Sequence, residues 1–166
     1  MLMQLATVRG RFHVEHYNSK GELLSTQDFD NGVTNVGKDL ILDVMFNDAT
    51  AILQSAWDIS LIDNAGFTAL AAADTMASHT GWVELQAYDE ATRVAWGPGA
   101  SASQSVTNAA VATFNLNATD VVYGIFVTSE GTKGGTTGTL WSTAAFSATI
   151  PVTSGDQLKI TYTVSA

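Results

Sequence analysis

The stretch VVYGIFVTS, at residues 121–129, is apolar over nearly its whole length. A short apolar run that is rich in β-branched and aromatic residues predicts a central strand of a sheet. The stretch LKITYTV, at residues 158–164, instead alternates apolar and polar residues, as does RFHVE at residues 11–15. This alternation has the period of a strand that buries one face. The sequence therefore predicts a fold built mainly from β-strands.

Similar strand patterns recur along the chain, separated by turns that contain Gly, Asn or Asp. One helix is predicted at residues 35–47, capped by Asn35, because its apolar residues form one stripe. That stripe consists of Leu40, Ile41, Val44 and Met45. Residues 67–80 are rich in Ala and allow a short helix. We predict a single domain, residues 1–166, folded as an antiparallel, jelly-roll-like β-sandwich of about eight strands. The predicted strands lie at residues 7–17, 22–29, 57–62, 82–88, 104–116, 121–129, 139–147 and 158–164.

Composition and charge exclude several classes of partner. The 166 residues carry a net charge of −9, and their seven Lys and Arg residues are scattered along the chain. Nucleic acids and anionic membrane surfaces both require basic clusters, so we predict neither as a partner. The chain has no Cys, which excludes disulfides, thiolate metal sites and Cys nucleophiles. With no signal-peptide pattern and no apolar run of about 18 residues, we expect a soluble product of the cytoplasm.

Residue types that carry chemistry do not form a catalytic pattern in this sequence. The Gly-rich segment 131–138 differs from a phosphate-binding loop, because Gly134 rather than Ser or Thr follows Lys133. His13 and His16 are three residues apart in a predicted strand, so they face opposite sides and cannot share a metal. We therefore predict no catalytic residue, no cofactor and no metal, and a protein that is not an enzyme.

Six residues are candidates for contact with a partner. Trp82 and Trp96 flank loops, where a partly exposed indole would stack on a glycan or anchor a protein interface. Packing in the core or at its rim is the favoured interpretation for both. The other four candidates lie in an N-terminal segment that lacks a strand pattern and would gain from burial. They are Met1, Leu2, Met3 and Leu5.

Four stretches resemble a family of small virion proteins of tailed bacteriophages. They are NGVTNVGKDLILDVMF at residues 31–46, a region at residues 60–96 that includes AAADTMASH and YDEATR, GIFVTSEGTKGGTTGTLWSTAAFS at residues 124–147, and GDQLKITYTVSA at residues 155–166. Together they span most of the chain. The resemblance brings no catalytic residues with it.

The role that this resemblance implies is a cement, or decoration, protein on the outer surface of a phage head. Such a protein would be made in the host cytoplasm, bind the major capsid protein, bridge capsomers and self-associate as a dimer or trimer. Multivalent attachment would make weak contacts lasting, and a charged fraction of only 14% suits such contacts. Two alternatives stay open. One is a tail- or fibre-associated module that binds a host glycan or another virion protein, and the other is a glycan-degrading enzyme.

Overall fold

The computed structural model describes residues 7–47 and 49–166 and consists mainly of β-strands, as predicted. The strands are β1 (Arg9–Tyr17), β2 (Leu23–Asp30), β3 (Gly32–Val33), β4 (Asp58–Asp63), β5 (Glu84–Leu85), β6 (Val94–Ala95), β7 (Ser105–Thr107), β8 (Ala112–Asn115), β9 (Asp120–Thr128), β10 (Leu140–Val152) and β11 (Gln157–Ser165). Helix α1 spans Asn35–Phe46, and a short 3₁₀ helix spans Gln54–Ala56. No helix in the described residues is long and apolar enough to cross a membrane.

Two antiparallel sheets form the predicted β-sandwich. In sheet A the strand order is β2-β1-β11, and β7 and β8 both pair with the other edge of β11. In sheet B the order is β3-β10-β9-β4, and β5 and β6 both pair with β4. The strand count exceeds the predicted eight by three, because the short strands β3 and β6 were not predicted and the strand predicted at residues 104–116 divides into β7 and β8.

The main hydrophobic core takes alternate residues from strands of both sheets. Phe12 of β1 stacks on Tyr162 of β11, with ring centroids 4.2 Å apart, and Trp96 lies 5.0 Å from the same tyrosine ring. From sheet B, Ile59 and Leu61 of β4 enter the same core. The alternation in β1 and β11 therefore identified the buried face of sheet A correctly.

Sheet B is covered on its second face as well. Ile62 of β4 and Phe126 of β9 pack in a smaller cluster with Leu140, Met76 and Trp82. The last two residues come from the long connection between β4 and β5. Because both faces of β9 are buried, the strand has little polar alternation, which explains the apolar run that predicted it.

The connection between β4 and β6 contains less regular structure than the sequence suggested. Residues 67–80 contain no helix and form turns over sheet B. The strand predicted at residues 82–88 is reduced to β5. Trp82, Leu85 and Tyr88 are the buried residues of this segment, and a regular strand cannot bury residues three apart on one face.

The strand predicted at residues 104–116 is two strands, β7 and β8. Both pair with β11, at Thr163–Ser165 and at Gln157–Ile160 respectively. Between them, the Asn108 side chain bonds to the main chain of β11: its amide nitrogen donates to the Ile160 carbonyl at 2.9 Å. β7 and β8 therefore pair with successive parts of the same edge of β11, and Asn108 bonds to β11 between them.

Candidate functional site

Helix α1 is fixed to sheet B by its first turn. The Thr34 hydroxyl accepts a hydrogen bond from the Gly37 amide at 3.1 Å and donates one to the Leu140 carbonyl. Thr34 is therefore the helix cap, and the prediction of Asn35 is wrong. A side chain at Gly37 would lie 2.7 Å from the Trp141 carbonyl, so this glycine allows the helix to approach β10 closely.

The second half of α1 exposes large apolar side chains. Leu42, Met45 and Phe46 are spaced by three and four residues, which places them on one face of the helix. Their exposed fractions are 55%, 66% and 79%, and Leu53, in the segment that follows, is 73% exposed. We name Leu42, Met45 and Phe46 the α1 patch. Clustered apolar surface of this kind marks sites of macromolecular contact.

Acidic side chains accompany the α1 patch. Asp39 and Asp43 are exposed on the same helix, against one exposed cation, Lys38. The whole chain carries a net charge of −9. A surface that covers the α1 patch is therefore expected to combine an apolar socket with Lys or Arg at its rim, because like charges at a rim oppose association.

The prediction of a single buried stripe missed the α1 patch. Leu40 and Ile41 are half-buried as predicted, but Val44 and Met45 of the same stripe are exposed. The signal was present in the sequence LILDVMF at residues 40–46, where apolar residues cover most of the helix circumference. A helix with apolar residues around most of its circumference must be packed on more than one side to bury them all. Sheet B packs against only one side of α1.

A buried ion pair lies at the other end of sheet B. Arg93 donates to both carboxylate oxygens of Glu84, at 2.9 and 2.8 Å, and both side chains are almost fully buried. The guanidinium also donates to the carbonyls of Glu130 and Gly135. Glu84 in turn accepts bonds from the Ser60 hydroxyl and from a loop amide. The hydrogen-bonding groups of this pair are therefore used within the fold.

Both members of this ion pair also bond to the Gly-rich segment 131–138. The Gly134 amide, which a phosphate cradle would need, donates to Glu84 at 2.7 Å. Lys133 donates to the Tyr88 carbonyl at 2.7 Å, and its ammonium lies 3.7 Å from the centre of the Tyr88 ring. The segment leads into strand β10 rather than into a helix. The Gly134 amide and the Lys133 ammonium therefore bond to other parts of the fold and hold the segment in place.

Asp58, at the start of β4, is a buried carboxyl beside this network. Its carboxylate lies against Gly131, and its neighbours across the sheet are Thr128 and Ala95. Burial raises the pKa of Asp58 to about 6, against the opposing effect of the Arg93 guanidinium. Since the folded pKa exceeds the unfolded one, the stabilisation from this group is complete below about pH 4 and is lost as the pH rises through 6.

Replacing Asp58 with Asn is therefore expected to stabilise the protein at neutral and alkaline pH. The amide cannot ionise, so the gain in the free energy of unfolding should approach about 2 kcal/mol at pH 8 and shrink as the pH falls towards 4. Urea unfolding of both proteins across this pH range measures the difference. A difference that does not change with pH would contradict the assignment of a raised pKa to Asp58.

The two histidines of β1 face opposite sides of the strand, as predicted. His13 is half-buried, with 42% of its side chain accessible and a ring nitrogen 3.3 Å from Asp28. His16 is buried and lies 3.1 Å from Asp156. Burial alone would raise the pKa of Asp156, but bonds from the Thr153 amide and from His16 outweigh it, so the pKa lies below its usual value. In residues 7–47 and 49–166, no group of three or more His, Asp or Glu side chains is arranged to hold a metal ion.

Two of the candidate contact residues, Trp82 and Trp96, are not on the surface. Trp82 is 2% exposed and Trp96 is 6% exposed, so both rings are in the cores, which was the interpretation that the sequence favoured. The Trp82 indole donates to Asp74, and the Trp96 indole donates to the Tyr162 carbonyl. Internal partners for both indole groups explain why neither is on the surface. The other four candidates, Met1, Leu2, Met3 and Leu5, lie outside the described residues.

Comparison with known proteins assigns no family to the chain. The sequence matches no family model, and no curated protein matches it significantly. The α1 patch is therefore the feature from which a function is inferred.

Proposed function

We propose that the protein is a structural virion protein, a cement protein that attaches to the outer surface of a phage head through the α1 patch. The observation that supports this proposal is the patch itself, three large apolar side chains exposed on one helix face. The partner is the major capsid protein, through an apolar socket with a basic rim. The sequence resemblance to tailed-phage virion proteins supports the same role.

The fold suits a passive binding role. The buried polar clusters around Arg93 and Asp156 bond to groups within the chain, so they serve the fold rather than a substrate. The polar side chains that remain exposed surround a rigid sandwich whose helix is tethered by its first turn. A rigid body with a projecting apolar face is preorganised for docking, which lowers the entropic cost of binding.

Attachment at many equivalent positions would make a weak contact effective. Each α1 patch is small compared with the standard interface of about 1,600 Å². A dimer or trimer that binds neighbouring capsomers would raise the effective concentration of its second contact, so the bridged state would persist. Cement function in this form depends on the lattice rather than on a tight single contact.

The proposal is tested first by location and then by mutation. Mass spectrometry and cryo-electron microscopy of purified virions should find the chain on the head, over the joints between capsomers. Phe46→Ser is then expected to weaken co-sedimentation with heads that lack this protein by about tenfold or more, because an exposed aromatic anchor is lost. The unfolding midpoint should barely change, since Phe46 is 79% exposed.

A matched pair of leucines provides the control. Leu42→Ser removes a side chain of the α1 patch, whereas Leu23→Ser removes a similarly exposed leucine from β2. Only the first should weaken attachment to heads. Equal losses from both variants would contradict a role for the patch, and absence of the chain from virions would contradict the cement proposal as a whole.

A further inference from the structure

An open pocket of about 540 Å³ lies beside the 3₁₀ helix, apart from the face of α1 that carries the patch. Its walls come from three parts of the chain: the 3₁₀ helix and its flanks, the segment that follows β6, and β7. The residues used below are Ile52, Gln54, Trp57, Trp96, Pro98 and Ser101. A volume of this size is within the range of small-molecule sites in proteins.

The lining of this pocket is uncharged and combines apolar surface with polar groups. Trp57 contributes a half-buried indole ring, Ile52 and Pro98 contribute aliphatic surface, and Trp96, which is 6% exposed, contributes only a small area. Among the described residues, no Asp, Glu, Lys or Arg lines it. A phosphate or a carboxylate would find no cation there, in a chain whose net charge is −9. The pocket therefore suits an uncharged ligand with an apolar face.

Three polar groups of the pocket have no partner within the described chain. Of the four tryptophans, Trp82, Trp96 and Trp141 donate their indole N–H groups to internal acceptors. The Trp57 indole N–H has none, although its ring packs edge-on to Trp141 at 6.2 Å. The Gln54 amide and the Ser101 hydroxyl also lack internal partners in residues 7–47 and 49–166. Free donors and acceptors beside aromatic surface are what a hydroxyl-rich ligand requires.

We infer that this pocket binds a neutral saccharide unit. A pyranose ring presents C–H groups on its faces, which pack on indole and aliphatic surface, and hydroxyls around its edge. Those hydroxyls can accept from the Trp57 N–H, exchange bonds with the Gln54 amide and bond to Ser101. This binding activity goes beyond attachment to a head, and it can be measured on the purified protein without any capsid.

The Trp57 indole N–H supplies a direct readout. The purified, ¹⁵N-labelled chain is titrated with maltohexaose, cellohexaose, chitohexaose and mannohexaose. One of the four indole resonances, the one that Trp57→Phe removes, is expected to shift with at least one of these saccharides, while the resonances of Trp82 and Trp141, which do not line the pocket, stay in place. Trp57→Phe keeps an aromatic ring but loses the donor, so it should weaken binding about fivefold, the value of one hydrogen bond.

Gln54→Ala provides a second variant that does not depend on core packing, because this side chain is exposed and makes no bond to another described residue. It should also weaken binding about fivefold. Ser154→Ala, on the exposed turn before β11, is the control and should leave binding unchanged. The inference is overturned if no saccharide of the panel shifts the Trp57 resonance at about 10 mM, a concentration that would reveal even weak sites. It is equally overturned if Gln54→Ala binds as the parent does, or if the pocket variants reduce only attachment to heads.

Discussion

Replacing Arg93 with Met is expected to lower the free energy of unfolding by about 3–5 kcal/mol. The substitution leaves the buried Glu84 carboxylate without its bidentate partner, although the Ser60 hydroxyl and the Gly134 amide still donate to it. It also removes the donors to the carbonyls of Glu130 and Gly135, which hold the Gly-rich segment. An unpaired buried charge costs more than the pair contributed, so the loss should exceed that of an ordinary core substitution. Urea unfolding at neutral pH measures it.

Arg11→Met is the matched control for Arg93→Met. Arg11 also faces two carboxylates, Asp28 at 3.7 Å and Asp30 at 3.5 Å, but all three side chains are well exposed. Water screens such a pair, so the change should stay within about 0.5 kcal/mol. The double variant Glu84→Gln with Arg93→Met should recover part of the loss, because no buried charge remains. A single variant at Arg93 no more destabilising than Arg11→Met would contradict a structural role for the buried pair.

Gly10→Ala is expected to cost about 3–5 kcal/mol of unfolding free energy, because the methyl group has no space. Gly10 is buried in β1, and a Cβ atom there would fall on the Asn31 amide oxygen and the Tyr162 hydroxyl. Both groups belong to one buried network, in which Asn31 and Trp141 each donate to the Tyr162 hydroxyl at 2.8 Å. Displacing the tyrosine would strand the indole N–H of Trp141 and disturb the ring that stacks on Phe12.

Gly32→Ala tests whether the effect at Gly10 is steric. Gly32 lies in β3, beside the same network, but a Cβ atom there would meet only the Thr143 carbonyl, at 3.8 Å. That is an ordinary contact, so the free energy of unfolding should change by less than about 1 kcal/mol. Thermal unfolding and the near-ultraviolet circular dichroism of the buried tryptophans report on both variants. Similar small effects at the two glycines would show that the space at Gly10 can relax.

The strands were predictable where burial follows a simple period. Residues 11–15 and 158–164 alternate because β1 and β11 bury one face against sheet B. Residues 121–129 are apolar over nearly their whole length because β9 is covered on both faces. In these segments the pattern of buried side chains depends only on the two-residue period of the strand itself. It can therefore be predicted without knowing which other segments pack against the strand.

The segment between β4 and β6 was not predictable in this way. Trp82, Leu85 and Tyr88 are buried three residues apart, which matches no strand period, because this connection folds over the outer face and edge of sheet B. Trp82 flanks a loop, so partial exposure was open as well as burial, and its partners could not be named from the sequence. Its indole donates to Asp74, and its ring lies 5.0 Å from the Phe126 ring. Phe126 is distant in sequence and Asp74 lies in an irregular loop, so no local sequence pattern predicts these two contacts.

The sequence by itself determined the β-rich class, the position of helix α1 and the opposite orientations of His13 and His16, since each depends only on the period of one element. The tertiary structure alone decided which apolar residues remain outside. Helix α1 has apolar residues on most of its circumference, but sheet B covers one side, which leaves the α1 patch exposed. It also decided that Arg93 and Glu84 become a buried pair and that the Trp57 indole N–H has no acceptor among the described residues. Such outcomes follow from contacts between distant segments, and hydrophobic periodicity along one segment carries no information about them.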